Sequence, residues 1–207
     1  MFRPSFIVLT ALCAGCVEVT EPLGDIDKAE PDKNLIGSWA PEFDKLWVHV
    51  VDQPEVKGNP KGLMRLDVVP RKDPEKETEK RTLWFFVTHI GKHTYANILL
   101  GRAKNSGVAG FAQFDKEGTY AVWVKSDRRA YWVIRYNFED DQLTTYEANE
   151  GVDKLFKANQ IGHTGGNNGR GFDDFFQPPA GWLAKQLEKN DPDDLFSPNR
   201  TYNRLKK

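Results

Sequence analysis

Cys13 and Cys16 are the only thiols in the chain and stand three positions apart in Leu12-Cys13-Ala14-Gly15-Cys16. That spacing suits a dithiol redox pair, half of a tetrahedral metal site, or a thiol set aside for covalent modification. A redox pair belongs beside a strand-helix-strand pattern and a zinc site needs a second pair of ligands nearby; neither follows. Covalent modification is therefore the expectation. Both thiols precede residue 17, so the rest of the chain holds no thiolate nucleophile, no cysteine ligand and no disulfide.

The remaining reactive side chains form no constellation. His89 and His93 are four apart, but Gly91-Lys92 between two β-rich runs puts them on opposite arms of a hairpin, and no third ligand accompanies them. His49, between Val48 and Val50, is expected to pack. The stretch 162–176, GHTGGNNGRGFDDFF, is rich in glycine, yet no Lys-Ser/Thr follows a Gly-x4-Gly spacing, and Asp173-Asp174 lack the alternating oxygen ligands of a calcium loop. It reads as a loop. Asp140-Asp141 read as turn residues, and no Gly-x-Ser-x-Gly elbow occurs. No catalytic residue, metal or cofactor is expected, and an envelope hydrolase with no local motif ranks last among the functions considered.

The segments around the thiols give the chain an address. Arg3, the apolar run Phe6 to Leu12, and the small pair Ala14-Gly15 form a secretory signal over residues 1–15. The apolar run is too short to cross about 30 Å of hydrocarbon as a helix. Leu12 to Cys16 resembles the lipobox of bacterial lipoproteins, in which small residues precede an invariant cysteine; the family prefers leucine where Cys13 stands. The resemblance implies lipid attachment to the Cys16 thiol, cleavage before it, and palmitate-type acyl chains that anchor the protein in the cell envelope. Val17, in place of aspartate, implies the outer membrane. Two or three chains at about 0.8 kcal/mol per buried CH₂ suffice for such an anchor. Residues 16–33 carry six acids against Lys28 and Lys33, with no aromatic, and are expected to be a lipidated, extended acidic tether.

Residues 34–196 read as one mostly β domain. Nine short apolar bursts predict strands at Leu35 to Trp39, Leu46 to Val51, Leu63 to Val69, Thr82 to His89, Thr94 to Leu100, Val108 to Phe114, Thr119 to Lys125, Tyr131 to Phe138 and Leu143 to Tyr146. Tight turn signals between them predict an antiparallel meander closed into a barrel, with a sandwich as the alternative. In Tyr131 to Phe138 the stripe Trp132, Ile134, Tyr136 and Phe138 should face the core. Leu46 to Val51 and Leu83 to Val87 are apolar on both faces, so something must cover the sheet from outside. Short helices at Gly151 to Asn159 and from Pro179 supply the cover. Residues 197–207, basic and without an acid, read as a frayed tail.

Leu35-Ile36-Gly37-Ser38-Trp39 resembles the Gly-x-Trp opening of lipocalins, whose eight-stranded barrel encloses an apolar ligand. The resemblance implies a lipocalin-like barrel in which an arginine stacks on Trp39. Arg135 is one candidate for that role, and an exposed outer-face arginine is its other reading. If a ligand cavity exists, Trp84, Phe86, Trp123, Trp132, Ile134 and Tyr136 are its expected walls. The near-neutral charge, formally −1, excludes a nucleic-acid partner recognised through a basic excess. Two functions follow: an envelope lipoprotein binding a small apolar molecule or lipid, or a solid-core accessory lipoprotein that contacts another envelope protein.

Overall fold

A computed structural model describes residues 17–43, 47–70, 80–102, 109–111, 114, 119–126, 129–164 and 175–206. The strands are β1 (Val17–Val19), β2 (Gly37–Pro41), β3 (Trp47–Asp52), β4 (Met64–Pro70), β5 (Arg81–Ile90), β6 (His93–Arg102), β7 (Ala109–Phe111), β8 (Arg129–Glu139), β9 (Gln142–Ala148), β10 (His163–Thr164), β11 (Phe175–Phe176) and β12 (Phe196–Arg204). The helices are α1 (Thr119–Val124), α2 (Glu150–Ala158), α3 (Trp182–Lys189) and α4 (Pro192–Leu195).

Eight strands close an antiparallel barrel in the order β2-β3-β4-β5-β6-β8-β9-β12, with β12 returning to β2. The predicted meander is therefore a barrel. Its consecutive strands pair as hairpins wherever the turn signals are strongest: Gly91 at φ +57° reverses β5 into β6, and Asp140 at φ +54° reverses β8 into β9.

Alternation sorts the side chains into two cores. Leu83, Phe85 and Val87 of β5 join Met64, Ile98, Trp132 and Tyr136 inside the barrel, while Trp84 and Phe86 point outward. The outward face meets two excursions of the chain. One leaves the barrel between β6 and β8 and carries α1; the other leaves between β9 and β12 and carries α2, α3 and α4. Val152 and Phe156 of α2, Leu183 and Leu187 of α3 and Leu195 of α4 seal the outer core. Asn149 caps α2 by accepting from the Gly151 backbone N–H at 2.7 Å, and Pro192 opens α4 behind the Asp191 cap.

Three expectations need correction. Thr119 to Lys125 is a helix, not a strand: β6 and β8 pair with each other, leaving this segment no edge to join, and Tyr120 and Trp123 are spaced to bury one helical stripe. Residues 17–33 are not an extended tether. Val19 is fully buried, β1 pairs antiparallel with β8, and Leu23 donates its backbone N–H to buried Asn97 at 2.8 Å. Composition misled there because acids serve as caps: Asp25 and Asp32 accept backbone N–H groups of the short 3₁₀ turns Ile26–Lys28 and Lys33–Leu35. Residues 197–204 are not frayed either, since β12 fills the gap between β9 and β2 and closes the barrel.

Candidate functional site

The barrel interior is assembled from the inward stripe of each strand. One end is shut by the turn Lys33–Leu35. Leu35 is buried beneath it, the Tyr136 hydroxyl donates to Asp32 Oδ2 at 2.8 Å, and Trp39 Nε1 donates to the Leu35 carbonyl at 2.8 Å. The Arg204 guanidinium lies 4.5 Å above the Trp39 ring and donates to the carbonyls of Asn34 and Ile36. Trp39 thus has a stacked arginine, but it is Arg204 of the closing strand, not Arg135. Arg135 stands on the outer face of β8, yet it is buried: it stacks 4.4 Å from the Tyr146 ring centroid and donates to Asp193 at 2.5 Å.

The cross-strand row Met64, Phe85, Ile98 and Trp132 fills the middle of the barrel. Leu66 of β4, Ala96 of β6 and Ile134 of β8 face inward from the interior of their strands, yet each keeps solvent-accessible surface, as do Trp47 and Phe138. Ala96 and Ile134 are direct cross-strand partners, while Leu66 lies on the far side of the buried row and Phe138 beyond buried Tyr136. The tightest packing lies elsewhere: among the largest fully buried side chains only Trp39 and Met64 belong to the interior, and the rest, Trp84, Phe86 and Phe156 among them, sit in the outer core.

Beside these strands, β3, β9 and β12 turn polar groups inward. Thr145 Oγ1 donates to the Arg200 carbonyl at 3.3 Å, and His49 meets the Tyr202 ring edge-on at 5.0 Å. Glu147 accepts a hydrogen bond from Asn199 Nδ2 and feels the Arg200 charge. Burial dominates over both, pushing the Glu147 carboxyl up to about 7. Burial also raises the Tyr202 and Tyr136 hydroxyls, Tyr136 further through the neighbouring Asp32 charge. The interior therefore mixes apolar side chains with a guanidinium, a phenol and a hydroxyl on neighbouring strands.

The six residues expected to line a cavity do not share one. Trp132, Ile134 and Tyr136 are interior, whereas Trp84, Phe86 and Trp123 belong to the outer core, where Trp123 Nε1 donates to the Leu100 carbonyl at 3.1 Å. The period-two pattern of Leu83 to Val87 leaves the inward face undecided when both faces are apolar, and Trp123 follows its helix. Thr145, Glu147, Arg200 and Tyr202 escaped notice in the sequence, and His49, expected to pack, does so against Tyr202. The spacing Arg200, Tyr202, Arg204 is the signal that marks a strand with one polar-aromatic face. Of the histidines, His89 lies at an exposed strand end, 3.2 Å from Thr94 Oγ1. Among the described residues no cluster of three or more His, Cys, Asp or Glu could hold a metal ion. The glycine-rich stretch 165–174 and Cys16 lie outside the described residues. The chain matches no protein-family model, no curated protein and no solved structure.

Proposed function

We propose that the protein is a non-catalytic cell-envelope lipoprotein, anchored through Cys16 in the outer membrane, whose barrel takes a small apolar molecule or lipid into its interior. The lipobox resemblance supports the anchor. The observation that carries the binding role is that four apolar side chains facing into the closed barrel, Leu66, Ala96, Ile134 and Phe138, each keep some accessible surface. Apolar surface left accessible in such a place gains about 25 cal/mol per Å² when a ligand covers it. Arg204 stacked on Trp39 adds to the lipocalin resemblance. β1 begins one residue after Cys16, so an acylated Cys16 holds the barrel close against the bilayer instead of on a long tether. A solid-core accessory lipoprotein accounts less well for the half-exposed patch.

The test is a lumen plug. Ile134→Trp should abolish the fluorescence gain of an apolar naphthylamine dye bound by the full chain while lowering stability by less than about 1 kcal/mol, because the added ring enters open space; the same change in a filled core costs about 1 to 3 kcal/mol. A wild-type chain that leaves the dye dark, or a plug that costs several kcal/mol, refutes the binding role. The intact mass of the protein from its native membrane tests the anchor: a polypeptide beginning before Cys16 without acyl mass refutes it.

A further inference from the structure

The segment ahead of the barrel has the composition of a tether and the position of a strap. Residues 17–33 carry six acids against two lysines, so the segment, once free, is well solvated and repels itself into extended forms. Docked, it crosses the outer face of the barrel. β1 runs antiparallel to β8 from Val17 to Val19, Thr20 N donates to the Phe176 carbonyl at 3.0 Å, and Leu23 N donates to Asn97 Oδ1 on β6. Further on, the strap passes so close to the loop between β3 and β4 that a Cβ at Gly62 would stand 2.2 Å from the Ala29 carbonyl oxygen. Its far end is fixed by Asp32, which accepts from the Tyr136 hydroxyl, and by buried Leu35.

These attachments are separable from the barrel. β1 lies outside the closed ring of eight strands, so undoing its ladder breaks no pairing of that ring. Val19 and Leu23 are buried in the outer core and Ile26 and Ala29 pack on it partly, whereas α1 to α4 and Phe196 supply the rest of the cover. The polar contacts of the next turn are internal to the strap: Asp25 caps Ile26–Lys28 and pairs with Lys28 at 3.2 Å. Segments with few buried apolar contacts open at the low end of the free-energy range.

We propose that residues 17–31 are a releasable strap, which leaves the outer face as one unit while the barrel stays folded and so turns a short anchor into a long one. Docked, the strap pairs the residue after Cys16 into the sheet and keeps the barrel against the bilayer. Released as far as Asp32, the same residues span about 20 Å as a flexible coil and roughly 50 Å at full extension. The change in reach rests on Cys16 being the anchored residue; the release does not.

Native-state hydrogen exchange of the full chain, read by mass spectrometry of peptic fragments, tests the release without altering a residue. Amides of residues 17–30 should exchange at least about tenfold faster than those of β5 and β6, at a rate that low urea barely raises, since the opening exposes little surface. Exchange at the rate of β5 and β6, with the same response to urea, overturns the release. Val19→Asp forces the released state, because it sets a carboxylate where the wild type has no accessible surface. Its near-ultraviolet circular dichroism should remain that of a folded barrel while trypsin cuts after Lys28 about tenfold faster than in the wild type, as expected of a segment freed from its packing. Collapse of the whole signal, or cleavage at the wild-type rate, shows that strap and barrel are one unit and overturns the proposal. Reach is measured on the Cys13→Ser chain coupled through Cys16 to a maleimide lipid in phosphatidylcholine vesicles that carry a dansyl lipid. Energy transfer from the tryptophans to dansyl should fall when Val19→Asp is added, and equal transfer overturns the lengthened anchor. The coupling replaces native acylation, so this outcome is independent of whether the chain is a lipoprotein; the intact mass from the native membrane decides that separately.

Discussion

Arg204 tests the mechanism by which the closed end of the barrel is held. Its guanidinium stacks at 4.5 Å on the Trp39 ring and donates to the carbonyls of Asn34 and Ile36, one at 3.5 Å and one much shorter. In Arg204→Ala all three contacts vanish. A partly exposed cation–π contact is worth about 1 kcal/mol. The shorter charge-assisted hydrogen bond adds about 1.5 kcal/mol, and the one at 3.5 Å adds little. The cost is then about 2 to 3 kcal/mol, which for a domain of this size lowers the midpoint of thermal unfolding by roughly 4 to 12 °C. Arg204→Lys keeps the charge over Trp39 and loses the fork, so it should recover about a third to a half of that loss. Urea unfolding followed by tryptophan fluorescence measures both, because Trp39 reports on the same end. If Arg204→Ala lies within about 0.5 kcal/mol of the wild type, or if lysine is no better than alanine, the turn Lys33–Leu35 is held by burial of Leu35 alone and the lock ascribed to Arg204 does not exist.

Asn97 is fully buried on the outer face of β6, where it accepts from Leu23 N and donates to Thr88 Oγ1 at 3.0 Å; Asn97→Leu leaves the Leu23 N–H without its acceptor, at about 1 to 3 kcal/mol, and limited proteolysis should cut within residues 17–30 first. Unchanged resistance there would show that β1 pairing suffices. Glu147 has a folded-state pKa raised above its ordinary value, so the stability tied to its protonated form is complete below about 4.5 and is lost as pH rises through about 7. Glu147→Gln should therefore gain thermal stability over the wild type at pH 8 relative to pH 5, and a constant difference between the two pH values contradicts the burial that drives the shift. Trp123→Phe keeps the packing of α1 but leaves the Leu100 carbonyl short of its donor, a loss of about 1 kcal/mol by urea unfolding.

The barrel was legible because its strands announce themselves at short range. Seven of the eight strands that close it follow from apolar bursts and turn residues, and the alternation Trp132, Ile134, Tyr136 and Phe138 names the interior stripe correctly. The eighth was hidden. Phe196 to Arg204 contains proline, asparagine and arginine and has little intrinsic preference for a strand, so its conformation is dictated by the two open edges of β9 and β2 that it satisfies. The same tertiary demand orders residues 17–33, whose charge content suggests a coil until Val19 and Leu23 meet the outer core. The candidate site suffered more than the fold, because Trp84 and Phe86 are chemically ideal for a cavity and only the register of β5 against β4 and β6 sends them outward.

On the proposed binding role, the division into two cores would let the interior accommodate a ligand in a chain without disulfides in its folded region. A barrel that relied on its interior for stability would need every inward side chain packed. Here the edge-to-face group of Phe114, Tyr120, Trp123 and Tyr131 and the stacked pair of Phe156 and Phe176, with centroids 4.1 Å apart, lie outside the barrel wall. Burial of that order is worth about 1.5 to 3 kcal/mol for each large apolar side chain, and it does not depend on what the barrel interior holds. The helices therefore place a large share of the buried apolar surface outside the barrel wall. It follows that a change which loosens the outer layer, such as Phe156→Ala at a cost of about 3 to 5 kcal/mol, should weaken the whole domain as much as any change inside the barrel. An interior change such as Ile134→Ala, made where surface is already accessible, should cost far less than the 2 to 5 kcal/mol of a filled core. A reversal of that order, with the interior substitution the more damaging, would mean that stability resides in the lumen and that the lumen is full.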